Sequence, residues 1–207
     1  CHNPDTWDRA GGILRSVDDV LSQALRYQSY WGEKGGITVS GGEALLQLRP
    51  LTELFRKAKS LGVNTCLDTS AQPFCRKGDS FSAFEELMQY TDLVLLDIKH
   101  IDSNAHRRLT GWGNENILDC ARYLSDIQKP VWIRHVSVPG INDDDESLRR
   151  LRTFLDTLGN VDRVEVLPYH TLGVYKWEQL GIPYTLAGVS PPDEESLIHV
   201  RRILTGQ

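Results

Sequence analysis

The sequence predicts an α/β fold with parallel strands, either a barrel of the TIM kind, whole or partial, or an open doubly wound sheet. Three observations carry this expectation. Helix-like and strand-like segments alternate from Ser16 to the end of the chain, and strict alternation requires parallel strands joined by right-handed helical crossovers. The run Leu93-Val94-Leu95-Leu96 is continuously apolar, which reads as a buried strand. No GxGxxG follows any strand, which weakens the dinucleotide-binding version of the open sheet.

The elements follow in order. Ser16, with Asp19 three residues on, is a capping-box-like start for a helix expected to run to about Trp31. Gly35-Gly36 stop it, and Ile37-Thr38-Val39-Ser40 reads as a short buried strand. Pro50 suits the first turn of a second helix, in which Leu51, Leu54, Phe55, Ala58 and Leu61 recur at helical spacing until Gly62. Val63–Asp68 is strand-like, Phe84, Leu87 and Met88 mark a third helix, and Asp92–Lys99 holds the third strand. Ile117, Ala121 and Leu124 fit a fourth helix, which Pro130 ends before the strand Val131–Val138. Asp143-Asp144-Asp145 is an acidic first turn, favoured by the helix dipole, ahead of Leu148, Leu151, Leu155 and Leu158. Val161–Leu167 is the fifth strand, and Pro191–Leu204 the last helix, with Asp193, Glu194 and Glu195 early in it. The expectation is five strands and about six helices, beginning with a helix. A parallel sheet begins more naturally with a strand, so a further first strand is expected upstream of Cys1.

Composition narrows the function. The 207 residues suit one domain over 1–207, and 40% hydrophobic with 25% charged residues is globular rather than disordered. A domain of this size buries roughly 70% of its unfolded surface and needs neither metal nor disulfide to fold. With 23 basic against 28 acidic residues the net charge is −5, which gives no reason to expect nucleic acid or an anionic membrane as partner. No apolar run approaches the roughly 18 residues of a membrane span, and no signal-peptide pattern opens the chain. Cys1, Cys66, Cys75 and Cys120 lack CxxC spacing, so a reducing cytoplasm is expected rather than a disulfide scaffold. The chain opens on Cys1 and its one Met is Met88, which also leaves open a lipid-anchored binding protein tethered through that cysteine.

Polar residues collect where the strands end, which is where βα folds build active sites. The strands end in Ser40-Gly41-Gly42-Glu43, Asp68-Thr69-Ser70, Asp97-Ile98-Lys99, Pro139-Gly140 preceded by Arg134 and His135, and Pro168-Tyr169-His170. Each also has a plain structural reading. Gly41-Gly42 suits a turn, Asp68-Thr69 an N-cap for the next helix, and Asp97 with Lys99 an ion pair on one face of a strand. Cys66 on a strand and Cys120 on a helix read as buried small hydrophobes, while Cys75 lies in a loop beside Arg76 and Lys77.

Cys1-His2-Asn3-Pro4-Asp5-Thr6-Trp7 resembles the end of the CxxxCxxC motif of radical S-adenosylmethionine enzymes, and more narrowly the pyruvate formate-lyase activating enzymes. The likeness continues in Val39-Ser40-Gly41-Gly42-Glu43-Ala44, Cys66-Leu67-Asp68-Thr69, Leu96-Asp97-Ile98-Lys99, Trp132-Ile133-Arg134 and Val138-Pro139-Gly140. It ends in Leu167-Pro168-Tyr169-His170-Thr171-Leu172-Gly173 with Lys176-Trp177, the narrowest part of the match. The resemblance implies a partial TIM-like (β/α)6 barrel with a [4Fe-4S] cluster at its mouth. Three cysteines hold the cluster and S-adenosylmethionine chelates its fourth iron. Reductive cleavage then yields an adenosyl radical that takes a hydrogen atom from a glycine of pyruvate formate-lyase, with flavodoxin as electron donor.

Position by position, the resemblance makes Cys1 the last cluster ligand and puts His2 beside the cofactor. Gly41, Gly42 and Glu43 would bind the methionine amino group. Asp97 and Lys99 would hold the ribose and carboxylate, with His170 on the adenosine. Asp68, Thr69 and Asp97 match a monovalent-cation site, for which their hard oxygens are suited. Arg134 becomes a contact to the glycine loop or the cofactor carboxylate, and Lys99 and Arg134 are the catalytic candidates. The two earlier cysteines of the motif lie outside these 207 residues, so this segment alone is expected to be inactive. One helix and short loops fill Cys1 to Gly41, which leaves no room for the ferredoxin-like insert of several other glycyl-radical activases. Activation of another glycyl-radical enzyme is the near alternative. A Schiff-base lyase with Lys99 as nucleophile is the distant one, since carboxylates nearby favour the unreactive ammonium form.

Overall fold

The computed structural model describes residues 3–7, 11–33 and 35–206. Among the described residues five strands form one sheet: β1 (Gly36–Val39), β2 (Asn64–Thr69), β3 (Leu93–Asp97), β4 (Val131–Ser137) and β5 (Val161–Pro168). They lie in the order β1-β2-β3-β4-β5, every neighbouring pair parallel. Strictly sequential order decides between the two architectures. Right-handed crossovers that never reverse direction put their helices on one face, as in a barrel, whereas a doubly wound sheet needs a switch point.

Eight α-helices are present among the described residues: α1 (Val17–Leu25), α2 (Leu48–Ser60), α3 (Gly78–Gln89), α4 (Ser103–Thr110), α5 (Glu115–Asp126), α6 (Asp145–Leu155), α7 (Val174–Gln179) and α8 (Glu194–Thr205). The periodicity of the sequence marks six; α4 and α7 are the additions. Both are short, and α4 is so polar that His106 is its one buried residue, so no apolar stripe announces it. The Asp102 side chain caps its start by accepting from Ala105 N, and Gly111 closes it at φ 87°. The helix expected to reach Trp31 ends at Leu25, followed by a 3-10 turn at Gln28–Tyr30. Tyr27 and Tyr30 are exposed and only Trp31 of that stretch packs on the core, so there is no continuous apolar stripe to extend the α-helix. The start is as expected: Ser16 Oγ accepts from Asp19 N at 3.1 Å and donates to the Asp19 carboxylate at 2.7 Å.

The strands alternate between two environments. Leu67, Val94, Leu96 and Ile133 are completely buried in one core with Phe55, Ala58, Leu87, Leu124, Leu148 and Leu151 of the helices. The residues between them, Asp68, Leu95, Asp97, Trp132 and Arg134, are only half-buried. The helix-facing side therefore supplies the burial, at about 2 kcal/mol for each large apolar side chain. The other side is left for polar groups.

Candidate active site

Since all strands run the same way, their carboxyl ends share one rim, where polar groups arrive from the strand ends and from the loops that follow them. Asp97, the last residue of β3, stands opposite Arg134 of β4 in the strand register. Arg134 Nε donates to Asp97 Oδ1 at 3.0 Å, and its two terminal nitrogens fork onto the carboxylate of Asp68 on β2, Nη1 to Oδ2 at 3.0 Å. Lys99 Nζ donates to the second oxygen of Asp97 at 2.8 Å. Two carboxylates and two cations thus balance on the half-buried face. Bidentate guanidinium–carboxylate pairs are among the strongest and most directional hydrogen bonds a protein makes.

Burial, the larger influence, pushes the Asp68 carboxyl above its usual range even though Arg134 pulls it down. For Arg134, burial disfavours the charge, but Asp97 and Asp68 outweigh it and hold the guanidinium above its usual value.

Glu43 caps the 3-10 turn Ala44–Gln47 by accepting from Leu45 N at 3.0 Å. Its carboxylate also takes the Thr69 hydroxyl on Oε1, and on Oε2 the Ser70 N–H at 3.0 Å and hydroxyl at 2.6 Å. The glycine loop after β1 is thereby laced to the end of β2. Gly41 sits at φ 151°, a conformation open to glycine. A Cβ on Gly42 would come within 3.6 Å of Thr6, so the loop backbone lies against the 3-10 turn Pro4–Trp7.

Of the expected site residues, Asp68, Asp97, Lys99 and Arg134 come together. Gly41, Gly42 and Glu43 form the adjoining loop. His170 lies two residues beyond β5 on the same rim, half-buried, its Nδ1 accepting from Leu172 N at 3.4 Å. Thr69 is on the opposite face of β2 from Asp68, turned to Glu43, and its Oγ1 accepts from Ala71 N rather than capping the next helix, which starts at Gly78. Cys1 and His2 lie outside the described residues. Cys66 is half-buried with its thiol pushed up by burial, Cys75 is exposed, and burial drives the Cys120 thiol far above its usual range. Among the described residues no group of three or more His, Cys, Asp or Glu is placed to hold a metal ion.

Two supports of the site carry little signal in the sequence. The buried Asn142 accepts from Val138 N at 2.7 Å and donates to the carbonyls of Lys99 and Val136, both at 2.8 Å, which fixes the backbone carrying Lys99. Arg163 of β5 stacks its guanidinium 4.9 Å from the Trp132 ring and pairs with Glu165 at 3.3 Å. Alternation along β4 and β5 was the available signal for the second; the first had none beyond an Asn after Pro-Gly.

Comparison with known proteins shows the family. Residues 1–151 match the family model described as Radical SAM superfamily. The chain is 52% identical over 208 residues to a pyruvate formate-lyase-activating enzyme of Streptococcus mutans, spanning 99% of this chain and 78% of that protein. It is 47% identical over 205 residues to one from Listeria monocytogenes, spanning 99% and 83%. Among solved structures it resembles a domain of a pyruvate-formate lyase-activating enzyme from Bacteroides vulgatus, with TM-score 0.68 and 25% identity over 83% of this chain and 94% of that one.

Proposed function

The chain belongs to the radical S-adenosylmethionine superfamily and, within it, to the pyruvate formate-lyase-activating enzymes, and from that membership we propose how its own residues serve the reaction. The observation that carries the proposal is the four-membered charge network of Asp68, Asp97, Lys99 and Arg134 beside a glycine loop braced by Glu43. The cluster and S-adenosylmethionine, when bound, supply the one-electron chemistry that removes a hydrogen atom from a glycine of the protein substrate, pyruvate formate-lyase.

The donor set suits the nucleoside. Asp97 would accept from the ribose hydroxyls, Lys99 and Arg134 would hold the methionine carboxylate, and His170 would flank the adenosine. The exposed backbone of Gly41-Gly42 takes the ammonium, while Glu43, whose oxygens both serve Thr69, Ser70 and Leu45, holds that loop in shape. Arg134 is also the group nearest in chemistry to a contact with the incoming glycine loop. The described residues supply no thiolate set for a cluster, and the proposed ligand, Cys1, lies outside them with its neighbour His2. The proposed monovalent cation fits less well: Asp68 and Asp97 already enclose the Arg134 guanidinium, and Thr69 faces Glu43. No step is assigned to it. We further propose a flavodoxin as electron donor and a cytoplasmic setting; no described helix is long and apolar enough to cross a membrane.

The test is S-adenosylmethionine binding to the full-length holoprotein. Asp97→Asn and Lys99→Met should each weaken it about tenfold or more, a loss of about 1.4 kcal/mol or above, and lower the yield of glycyl radical seen by EPR. Unchanged affinity in both variants would remove the network from the binding site.

A further inference from the structure

The turn that follows Cys1 is gripped from a distant part of the chain. Lys176 of α7 donates to Asn3 Oδ1 at 2.7 Å and to the two Asp5 carboxylate oxygens at 3.2 and 3.3 Å. Its neighbour Trp177, buried, meets Trp7 edge-on, with centroids 5.1 Å apart and planes at 88°. Behind them Tyr184 packs on Trp177 at 5.3 Å and shares a 2.8 Å hydrogen bond with the Tyr169 hydroxyl. Tyr169 N in turn donates to Ser137 O at 3.0 Å. The grip therefore runs back to the end of β5, next to His170, while Thr6 in the gripped turn lies against Gly42.

These contacts do little for the core. Asp5 and Trp7 are exposed, and ion pairs of this exposure contribute little to global stability. What they fix is the place of a short turn that joins the cysteine to the glycine loop. Lys176-Trp177 is also the part of the narrowest matching segment that binding and chemistry leave without a task.

We infer that Lys176 and Trp177 are positioning residues for the cysteine-bearing segment, a clasp that holds the turn Pro4–Trp7 between the glycine loop and the end of β5. The inference rests on Cys1 as a cluster ligand. Ligands held by a fixed outer shell bind their metal more tightly and release it more slowly than ligands on a loose loop.

The test uses the full-length protein reconstituted anaerobically with iron and sulfide, and reads two quantities other than turnover: the rate at which a ferrous chelator strips the cluster, and the change in the EPR spectrum of the reduced cluster when S-adenosylmethionine is added. Lys176→Met and Trp177→Leu should lose iron about tenfold faster than the parent, with a weakened spectral change. Lys176 is partly exposed and its loss leaves the core intact, so Lys176→Met decides the matter if Trp177→Leu does not fold. The exchanged pair Lys176→Asp with Asp5→Lys should bring the rate back towards the parent's. Iron loss at the parent's rate in Lys176→Met, or no recovery in the exchanged pair, would overturn the clasp. A parent protein that takes up no iron would overturn the role of Cys1 instead, so the two failures are told apart.

Discussion

Arg134 and Asp68 face each other across the half-buried side of the sheet, from β4 and β2, with the strand that carries Asp97 between them. One guanidinium thus ties three strands at the rim. Replacing it with an apolar side chain leaves Asp68 without its counter-charge, beside an Asp97 that keeps only Lys99. Arg134→Met should cost about 3 kcal/mol in urea unfolding. Arg134→Lys should recover only part of that, because an ammonium cannot fork onto Asp68 while reaching Asp97. A loss well under 1 kcal/mol for Arg134→Met would mean that solvent already screens the network.

The raised Asp68 carboxyl gives stability a pH signature. Burial lifts it above the ordinary 3.8, so the folded state holds this proton more tightly than the unfolded chain does. The stabilisation is fully present below 3.8 and is lost as pH climbs through the higher folded value. Asp68→Asn removes that titration. The stability difference between variant and parent should move in the variant's favour as pH rises through this window, as followed by thermal unfolding at a series of pH values. A difference that moves the other way would show that Arg134 outweighs burial.

Asp92 carries the opposite sign. Burial would raise its carboxyl, but Lys59 at 2.6 Å and Thr65 N at 2.9 Å hold it below its usual value. That stability is present above the ordinary 3.8 and disappears as pH falls through the lowered folded value. Asp92→Asn should cost about 1 kcal/mol at neutral pH, given the pair's partial exposure, and the gap to the parent should close in acid. A gap of constant size from neutral to acid pH would rule the pairing out as its source.

Much of this was legible in the sequence because polar residues interrupt apolar strands at one end of each. Asp97, Lys99, Arg134 and His170 needed only the rule that parallel strands present their carboxyl ends together. The partnerships were less legible. Alternation along β2 shows that Asp68 and Thr69 point to opposite faces, whereas the family likeness puts both in one cation site. Arg134 reaching across Asp97 to Asp68 depends on side-chain length and sheet curvature, which no spacing encodes. The helices α4 and α7 escaped because a short polar helix is stabilised by its caps and its neighbours rather than by an apolar stripe.

Glu43 separates two ways of building an ammonium site. If its carboxylate met the methionine ammonium directly, Glu43→Gln would cut S-adenosylmethionine affinity while Thr69→Val would leave it unchanged. The geometry favours the other outcome. Both Glu43 oxygens already accept from Thr69, Ser70 and Leu45, and Thr69 Oγ1 also supports Ala71, which is held at φ 53°. Either substitution removes part of the lacing between the glycine loop and the end of β2 and leaves polar groups there without partners, at about 1–2 kcal/mol each. The expected result is therefore a similar loss of affinity in both variants, measured by calorimetric titration of the holoprotein. A selective loss in Glu43→Gln alone would place the carboxylate on the ligand itself.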